Sequence, residues 1–221
     1  MACHADTIRM EAHEFNDVLT ADTEPGASRV WVETLRPVAL AVLVIVLAVA
    51  SVRGAGWVPL VSHVDLGIHE FGHLLAMWLP RLATALAGSL LQVLAPAALA
   101  AYFWFARRDL PATTVLVAWL GVSLRNVSVY MADANARVLP LFGGQDGHDW
   151  AFIFGQWHAL GSAERIAGFV SVLGFIAFVV ALGLALWGFA KPRLDEHREA
   201  ERRAHLETLP VREPRNQPPV A

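Results

Sequence analysis

One long stretch of this chain, residues 37–190, is almost free of charge. Its 154 positions hold seven basic and seven acidic residues, whereas about a quarter of the residues in an ordinary soluble domain are charged. The whole chain is 56% hydrophobic and has a mean hydropathy of +0.46. This composition excludes a soluble enzyme, a basic nucleic-acid-binding protein and a disordered chain. It predicts a set of membrane spans, so the lipid bilayer is the first expected partner and nucleic acid is not one.

Five hydrophobic segments are candidates to cross the bilayer, which takes about 20 mostly apolar residues in a helix. A further apolar run, residues 150–157, is too short to span and favours a re-entrant or interfacial segment. We therefore predict an all-α integral membrane protein with about five transmembrane helices, and a re-entrant or interfacial segment between the fourth and the fifth. The predicted spans are residues 37–52, 57–79, 82–105, 112–131 and 166–190.

The polar residues at the two ends divide the chain into three parts. We predict a polar N-terminal arm over residues 1–35, a membrane-embedded domain over 36–190 and a charged C-terminal tail over 191–221. Placing the C-terminus in the cytoplasm puts Arg53, Arg107, Arg108 and the basic tail inside, which suits the positive-inside tendency. Five other arginines oppose this orientation: Arg29, Arg36, Arg81, Arg137 and Arg165. We expect an integral protein of the plasma (inner) membrane of a bacterium. The lone Cys3 excludes a disulfide framework and a multi-cysteine metal site.

Residues 69–73, inside the second predicted span, read His-Glu-Phe-Gly-His. Residues four apart share one face of a helix, so His69 and His73 can bind one Zn²⁺ while Glu70 lies beside the ion. Zinc lowers the pKa of a bound water to about 7, and Glu70 can take its proton and pass it to a leaving amine. Three ionisable groups inside a span are costly, at about 2.5–3.5 kcal/mol each, and a shared metal would offset this. The alternative is a polar helix face satisfied by neighbouring helices.

A catalytic zinc site usually has three protein ligands and one open position, so a third ligand must come from elsewhere. Residues 139–150 are the richest source, because they combine glycines with two aspartates and a histidine. We favour Asp149, since it opens the apolar run that follows, and Asp146 and His148 are the alternatives. The segment could instead be a hydrated loop built from turn residues.

Asp65 lies one helical turn before His69 and on the same face. Its carboxylate could accept the second imidazole N–H of His69, as carboxylates beside metal sites often do, or it could cap the start of the helix. His63 points away from this face, and we expect it at the membrane interface.

Two further polar patches fall within predicted spans. Arg125 and Asn126 lie in the fourth span, where an intramembrane arginine needs a partner. We favour a pairing of Arg125 with Asp133, while the alternative is that Arg125 or Asn126 stabilises the oxyanion of a tetrahedral intermediate. Ser89 and Gln92 in the third span could line the same cavity, but we favour hydrogen bonds to a neighbouring helix.

The chain resembles the site-2 protease family, whose members are zinc metallopeptidases that cut peptide bonds within or beside the bilayer. The resemblance rests on His-Glu-Phe-Gly-His at 69–73 in an apolar helix that continues as Leu-Leu-Ala. A downstream element with Leu139-Pro140 and Asp146-Gly147 is similar to the second motif of the family. The resemblance covers about residues 57–160.

This resemblance implies zinc ligation by His69, His73 and one of Asp146 or Asp149, with Glu70 as the general base. The chain looks like a minimal member of this group, and we predict that its membrane-embedded domain, residues 36–190, is metallopeptidase-like. The expected function is zinc-dependent endopeptidase activity (intramembrane proteolysis) on transmembrane or membrane-associated protein substrates. The alternative is a non-enzymatic membrane protein, metal-binding or linked to transport, that uses the same polar helix face. A di-iron enzyme fits less well, because the predicted spans offer too few ligands.

Overall fold

The structure is a computed structural model that describes residues 35–141 and 147–207. Of the predicted N-terminal arm only residue 35 is described, and Asp146 and residues 208–221 lie outside the described ranges. Over those ranges the chain is helical and contains no strand. The predicted all-α class is therefore confirmed for this part of the chain.

Six α-helices make up the described chain. A π-helical turn, Phe103–Arg107, extends the third helix, and a short 3-10 helix, Leu160–Ser162, precedes the last. The α-helices are α1 (Arg36–Arg53), α2 (Val61–Leu75), α3 (Arg81–Tyr102), α4 (Leu110–Ala132), α5 (Asp149–Gln156) and α6 (Ala163–Glu207).

Four of the described helical segments are long and apolar enough to cross a membrane. Between 17% and 39% of each apolar window is buried inside the molecule, so most of its side chains face outward, where a lipid bilayer would cover them. This arrangement is compatible with a membrane protein. The four segments are Arg36–Arg53, Arg81–Arg107, Leu110–Ala132 and Leu160–Leu206.

The predicted span over residues 57–79 has a different structure, so the number of five spans is not confirmed. Only 15 of its residues form α2, and a helix of that length rises about 22 Å, less than the roughly 30 Å hydrocarbon core. The chain before α2 takes a left-handed turn at Leu60, with φ at 71°. Turns follow Leu75. Hydrophobicity alone did not reveal these interruptions.

Side-chain caps set where α4 and α5 begin. The carboxylate of Asp109 accepts the N–H of Ala112 at 3.0 Å, which satisfies one of the free amides at the start of α4. His148 does the same for α5, because its Nδ1 accepts the N–H of Ala151 at 3.3 Å. This second cap fixes Asp149 as the first residue of α5.

The short helix α5 is anchored in the centre of the bundle. Its Ile153 and Phe154 are fully buried in a cluster shared with α3, α4 and α6. Burying two such side chains stabilises the position of α5 by about 3–6 kcal/mol. The apolar run 150–157 is therefore held by protein on several sides, and its re-entrant or interfacial placement stays a prediction.

Helices α2 and α3 cross at very short range. A Cβ atom on Gly72 would lie 2.5 Å from the carbonyl oxygen of Ala87 and 2.9 Å from Cα of Gly88. Real Cβ atoms do not approach backbone so closely, so the crossing requires glycine at position 72. This contact brings the polar face of α2 directly against α3.

Candidate metal centre

Three side chains from two helices meet at one point in the structure. Nε2 of His69 lies 3.0 Å from Nε2 of His73. Oδ2 of Asp149 lies 3.3 Å from the first of these atoms and 3.2 Å from the second. The imidazoles are one turn apart on α2, and the carboxylate comes from the start of α5, about 80 positions along the chain.

The distances between the three donor atoms suit a small tetrahedral metal ion. Donors bound to Zn²⁺ at about 2.0–2.1 Å with tetrahedral angles lie about 3.3 Å apart. The three measured separations fall between 3.0 and 3.3 Å. Two imidazoles and one carboxylate are also a donor set that zinc accepts, with a fourth position left for water.

The outer nitrogens of both imidazoles are bonded in the manner that a metal site needs. Nδ1 of His69 donates to Oε1 of Gln92 at 3.2 Å, and Nδ1 of His73 donates to the backbone oxygen of Thr84 at 2.8 Å. Each bond orients a ring and places the lone pair on Nε2. Three electron-pair donors then converge, and they require a cation between them, either a proton or a metal ion.

Gly88 on α3 closes one side of the cluster with bare backbone. A Cβ atom there would lie 2.6 Å from Nε2 of His73 and 2.8 Å from Nε2 of His69. Any other residue would therefore fill the space in front of these two nitrogen atoms. The residues present fit a metal ion in both donor chemistry and available space.

The hydroxyl group of Tyr130 on α4 holds Asp149 in place. It donates to Oδ2 of Asp149 at 3.1 Å and accepts the backbone N–H of Asp149 at 2.9 Å. The tyrosine ring also lies edge-on to His69, with ring centroids 5.9 Å apart. Tyr130 is thus a positioning residue for the carboxylate of the cluster.

A second pair of side chains supports the segment that carries Asp149. His148 stacks on the ring of Tyr130, with centroids 4.5 Å apart, and its Nε2 lies 3.4 Å from Oδ2 of Asp133. Asp133 also accepts the backbone N–H groups of Val138 and Leu139 at 3.0 and 3.1 Å. These contacts tie the end of α4 to the start of α5.

The surroundings of Asp149, the first residue of α5, keep its carboxyl group ionised. Burial alone would raise the pKa of Asp149, but when a proton occupies the cluster the hydrogen bonds from the imidazoles of His69 and His73 outweigh burial, and the pKa lies below its ordinary value. Burial lowers the pKa of His148 below its usual range, which the nearby Asp133 only partly opposes. His148 is therefore neutral near pH 7, consistent with its Nδ1 acting as an acceptor for the α5 cap.

Glu70 follows His69 directly in α2, and its side chain is exposed. Its side chain belongs to the exposed face of α2 and not to the buried contacts that hold His69. Asp146, one alternative for the third donor, lies outside the described residues. His148, the other alternative, faces Asp133 and the α5 cap, and the structure brings Asp149 to the two imidazoles.

Asp65 does not contact His69, contrary to one expectation from the sequence, and it does not cap α2. The fully buried carboxylate accepts the indole N–H of Trp119 at 2.7 Å and the hydroxyl of Ser123 at 2.9 Å. Both partners belong to α4, which packs against this part of α2. Gln92 takes the place beside Nδ1 of His69 that the sequence suggested for Asp65.

The predicted pairing of Arg125 with Asp133 is wrong. The guanidinium of Arg125 donates to the hydroxyl of Ser171 on α6 and lies 4.8 Å from the ring centroid of Phe175. Eight residues separate Arg125 from Asp133, which is about 12 Å along a helix, and Asp133 pairs with His148 instead.

Of the remaining polar residues, Gln92 and Ser89 bond to neighbouring helices, whereas His63 lies at the surface. Gln92 belongs to the site as well as to a helix contact, since its Nε2 donates to Oδ1 of Asn126 at 3.0 Å. Ser89 accepts the indole N–H of Trp150 at 3.0 Å, as expected for a bond to a neighbouring helix. His63 is exposed and lies edge-on to Trp57.

Sequence reasoning did not find Tyr130, Gly88 or Thr84 as parts of the site. Thr84 contributes a backbone oxygen, which carries no sequence signal. Gly88 is one of 16 glycines, and only the helix crossing distinguishes it. Tyr130 is one of only two tyrosines and lies at the end of a predicted span near the proposed third ligand, which was a usable signal.

Comparisons with known proteins add no assignment to this geometry. No protein-family model, curated protein or solved structure matches the chain.

Proposed function

We propose that this protein is a membrane-embedded zinc metalloprotease that hydrolyses peptide bonds of membrane-associated protein substrates. The observation that carries the proposal is the convergence of His69, His73 and Asp149, whose donor atoms all lie within 4.8 Å of one another. The two histidines frame Glu70 in the pattern typical of zinc peptidases. The resemblance to site-2 proteases over residues 57–160 supports the same assignment.

In this proposal Nε2 of His69, Nε2 of His73 and Oδ2 of Asp149 hold the ion. Bound zinc supplies two kinds of chemistry, because it lowers the pKa of water to about 7 and polarises a carbonyl oxygen. Gln92 and the backbone of Thr84 keep the imidazoles oriented. Three protein donors with one open position distinguish a catalytic from a structural zinc site.

Glu70 has the role of general base and later of general acid. Its exposed carboxylate lies next to His69 in the chain, on the accessible side of α2. It takes a proton from the attacking water and delivers it to the nitrogen of the leaving amine. This assignment makes Glu70 essential for hydrolysis but not for metal binding.

The finer membrane arrangement is also part of the proposal. We place α2 within the bilayer as a fifth, shorter membrane segment, and α5 as a re-entrant segment that brings Asp149 to it. Such irregular elements occur at membrane depth where protein covers them, and the burial of α5 supports this placement. We further propose a bacterial plasma membrane location with the C-terminus in the cytoplasm.

The decisive experiment compares zinc content and cleavage in the full chain reconstituted in liposomes. We expect about one zinc per wild-type chain, and loss of zinc in the double variant His69→Ala/His73→Ala. Glu70→Gln should retain zinc and lose cleavage of a membrane-anchored reporter peptide by at least about a hundredfold. Glu164→Gln, which changes an exposed glutamate at the start of α6, is the matched control and should cleave normally.

Two outcomes would overturn the proposal. The first is a wild-type protein that contains no zinc after expression in zinc-supplied cells. The second is a Glu70→Gln variant that cleaves the reporter as wild type does. Metal binding or metal flux that is insensitive to Glu70→Gln, without any cleavage, would support the non-enzymatic alternative.

A further inference from the structure

A cavity of about 260 Å³ lies directly beside the donor cluster. His73 and Asp149 form one part of its wall, and Arg81 and Phe152 form another. A molecule that enters this cavity contacts both the cluster and the side chain of Arg81. The remaining lining residues are Thr84, Ala85, Gly147 and His148.

The side chain of Arg81 is exposed and is held in a defined position by an aromatic ring. Its guanidinium carbon lies 4.3 Å from the ring centroid of Phe152, and stacking of this kind leaves the N–H groups at the edge of the guanidinium free. Within the described ranges, no carboxylate forms an ion pair with it. Asp149, which lines the same cavity, is engaged by His69 and His73.

Among the described residues that line it, the cavity therefore presents the positive charge of Arg81 without a compensating carboxylate. The negative charge of Asp149 is engaged by His69 and His73, so it does not cancel the charge of Arg81. Burial of a bound group beside Phe152 and Ala85 would lower the local dielectric constant and strengthen an ionic contact. A guanidinium binds a carboxylate through two parallel hydrogen bonds, and the planar shape of the carboxylate matches this geometry.

We propose that Arg81 binds a carboxylate group of the polypeptide substrate, close to the bond that is cut. This inference rests on the proposed function and names a substrate class for it, a polypeptide with an acidic group beside the cleavage site. The cavity, at about 260 Å³, is slightly smaller than the usual ligand site of about 300–1,000 Å³. It therefore holds only a short length of chain between the cluster and Arg81.

Two sources can supply such a carboxylate, and both present the same chemistry to Arg81. One is the side chain of Asp or Glu near the scissile bond, and the other is the free C-terminus of a short peptide stub. Membrane-anchored reporter peptides separate them. In the first pair, one peptide has Asp and the other has Asn at every position within two residues of the scissile bond, and both have an amidated C-terminus. In the second pair, both peptides have the same neutral sequence, but one has a free C-terminus and the other an amidated one.

The readout is the ratio of kcat/KM between the two members of each pair. We expect the wild type to prefer the acidic member of one pair by about tenfold, which is the net contribution of about one hydrogen bond between charged groups. In Arg81→Gln that ratio should fall to about one. Arg81→Lys should give an intermediate ratio, because lysine keeps the positive charge but cannot form the two parallel hydrogen bonds of a guanidinium. Arg165→Gln, an exposed arginine at the start of α6 that does not line the cavity, should keep the wild-type ratio.

Binding without turnover provides a second readout. The full-length Glu70→Gln variant should bind the acidic peptide about tenfold more tightly than its neutral partner by fluorescence anisotropy, and adding Arg81→Gln should remove the difference. If cleavage fails for every peptide but this charge-dependent binding remains, the proposed hydrolysis is wrong and the role of Arg81 stands.

Other results would overturn the inference itself. Wild type that cleaves both members of every pair equally, or Arg81→Gln that keeps the preference, would exclude substrate recognition by Arg81. If Arg81→Gln lowers binding to vesicles containing anionic phospholipid and leaves the peptide ratios unchanged, the guanidinium serves a lipid phosphate instead.

Discussion

The hydroxyl group of Tyr130 is bonded to Asp149 twice, once through the carboxylate oxygen Oδ2 and once through the backbone N–H. The same Oδ2 faces the Nε2 atoms of His69 and His73. One side chain on α4 therefore fixes both the backbone position and the side-chain direction of the third donor. This contact connects the helix that supports the site to the segment that completes it.

Replacing Tyr130 by Phe should weaken metal binding without disturbing the packing. The ring and its contacts with His148 and His69 remain, and only the hydroxyl is lost. Removing such an outer hydrogen bond typically lowers metal affinity by about 10- to 100-fold, and we expect the lower end of this range. The measurement is zinc affinity by competition with a fluorescent chelator.

The second tyrosine of the chain, Tyr102, provides the matched control. It lies exposed at the end of α3, and Tyr102→Phe should bind zinc as wild type does. Equal zinc affinities for Tyr130→Phe and Tyr102→Phe would show that the hydroxyl does not position Asp149.

Gly88→Ala should abolish metal binding, because the added methyl group would lie 2.6–2.8 Å from the two Nε2 atoms. Zinc content measured by mass spectrometry should fall to below about a tenth of the wild-type value, since the methyl group occupies the space that a metal at about 2 Å from each nitrogen needs. Gly67→Ala on α2 is the control, since nothing lies within 4 Å of its added methyl group. Zinc contents that match between the two variants would contradict the assigned geometry.

Gln92→Met should reduce zinc affinity by about tenfold, since methionine has a similar size but cannot accept the Nδ1–H of His69. The affected bond is 3.2 Å long in the structure, and its loss frees the ring to rotate. Chelator competition gives the affinity, and Gln156→Met on the exposed end of α5 should leave it unchanged. An unaltered affinity in Gln92→Met would mean that the ring is oriented by other contacts.

Arg125→Met tests whether the intramembrane arginine takes part in catalysis. Because its guanidinium contacts Ser171 and Phe175 on α6, we expect kcat/KM for the reporter peptide to change by less than about threefold. Loss of an oxyanion donor would instead lower kcat by about 100- to 1,000-fold. Circular dichroism of the reconstituted variant checks that its helix content is preserved.

The predictable part of the structure came from local patterns. Low charge density and apolar runs indicated helices, and the four-residue spacing placed His69 and His73 on one face of α2. Asp149 was favoured because it begins an apolar run, and the structure brings it to the two imidazoles. Each of these inferences depends on residues that are near each other in sequence.

The rest of the site depends on contacts between distant segments. The chain alone does not show that Gln92, and not Asp65, lies beside His69, because this depends on how α3 and α4 pack against α2. The same holds for Arg125, whose partner lies on α6 and not at the end of its own helix. The short length of α2 depends on turns at either end, which hydrophobicity does not detect.

The crossing of α2 and α3 at Gly72 and Gly88 has a consequence for protein engineering. The two histidines and the glutamate form a portable sequence pattern, but the space in front of them belongs to a different helix. If the pattern were transplanted into another pair of membrane helices, the imidazoles would meet a side chain wherever the residue that takes the place of Gly88 is not glycine. A successful transfer of the site must therefore include the five residues 69–73 of one helix and a glycine at the facing position of the neighbouring helix.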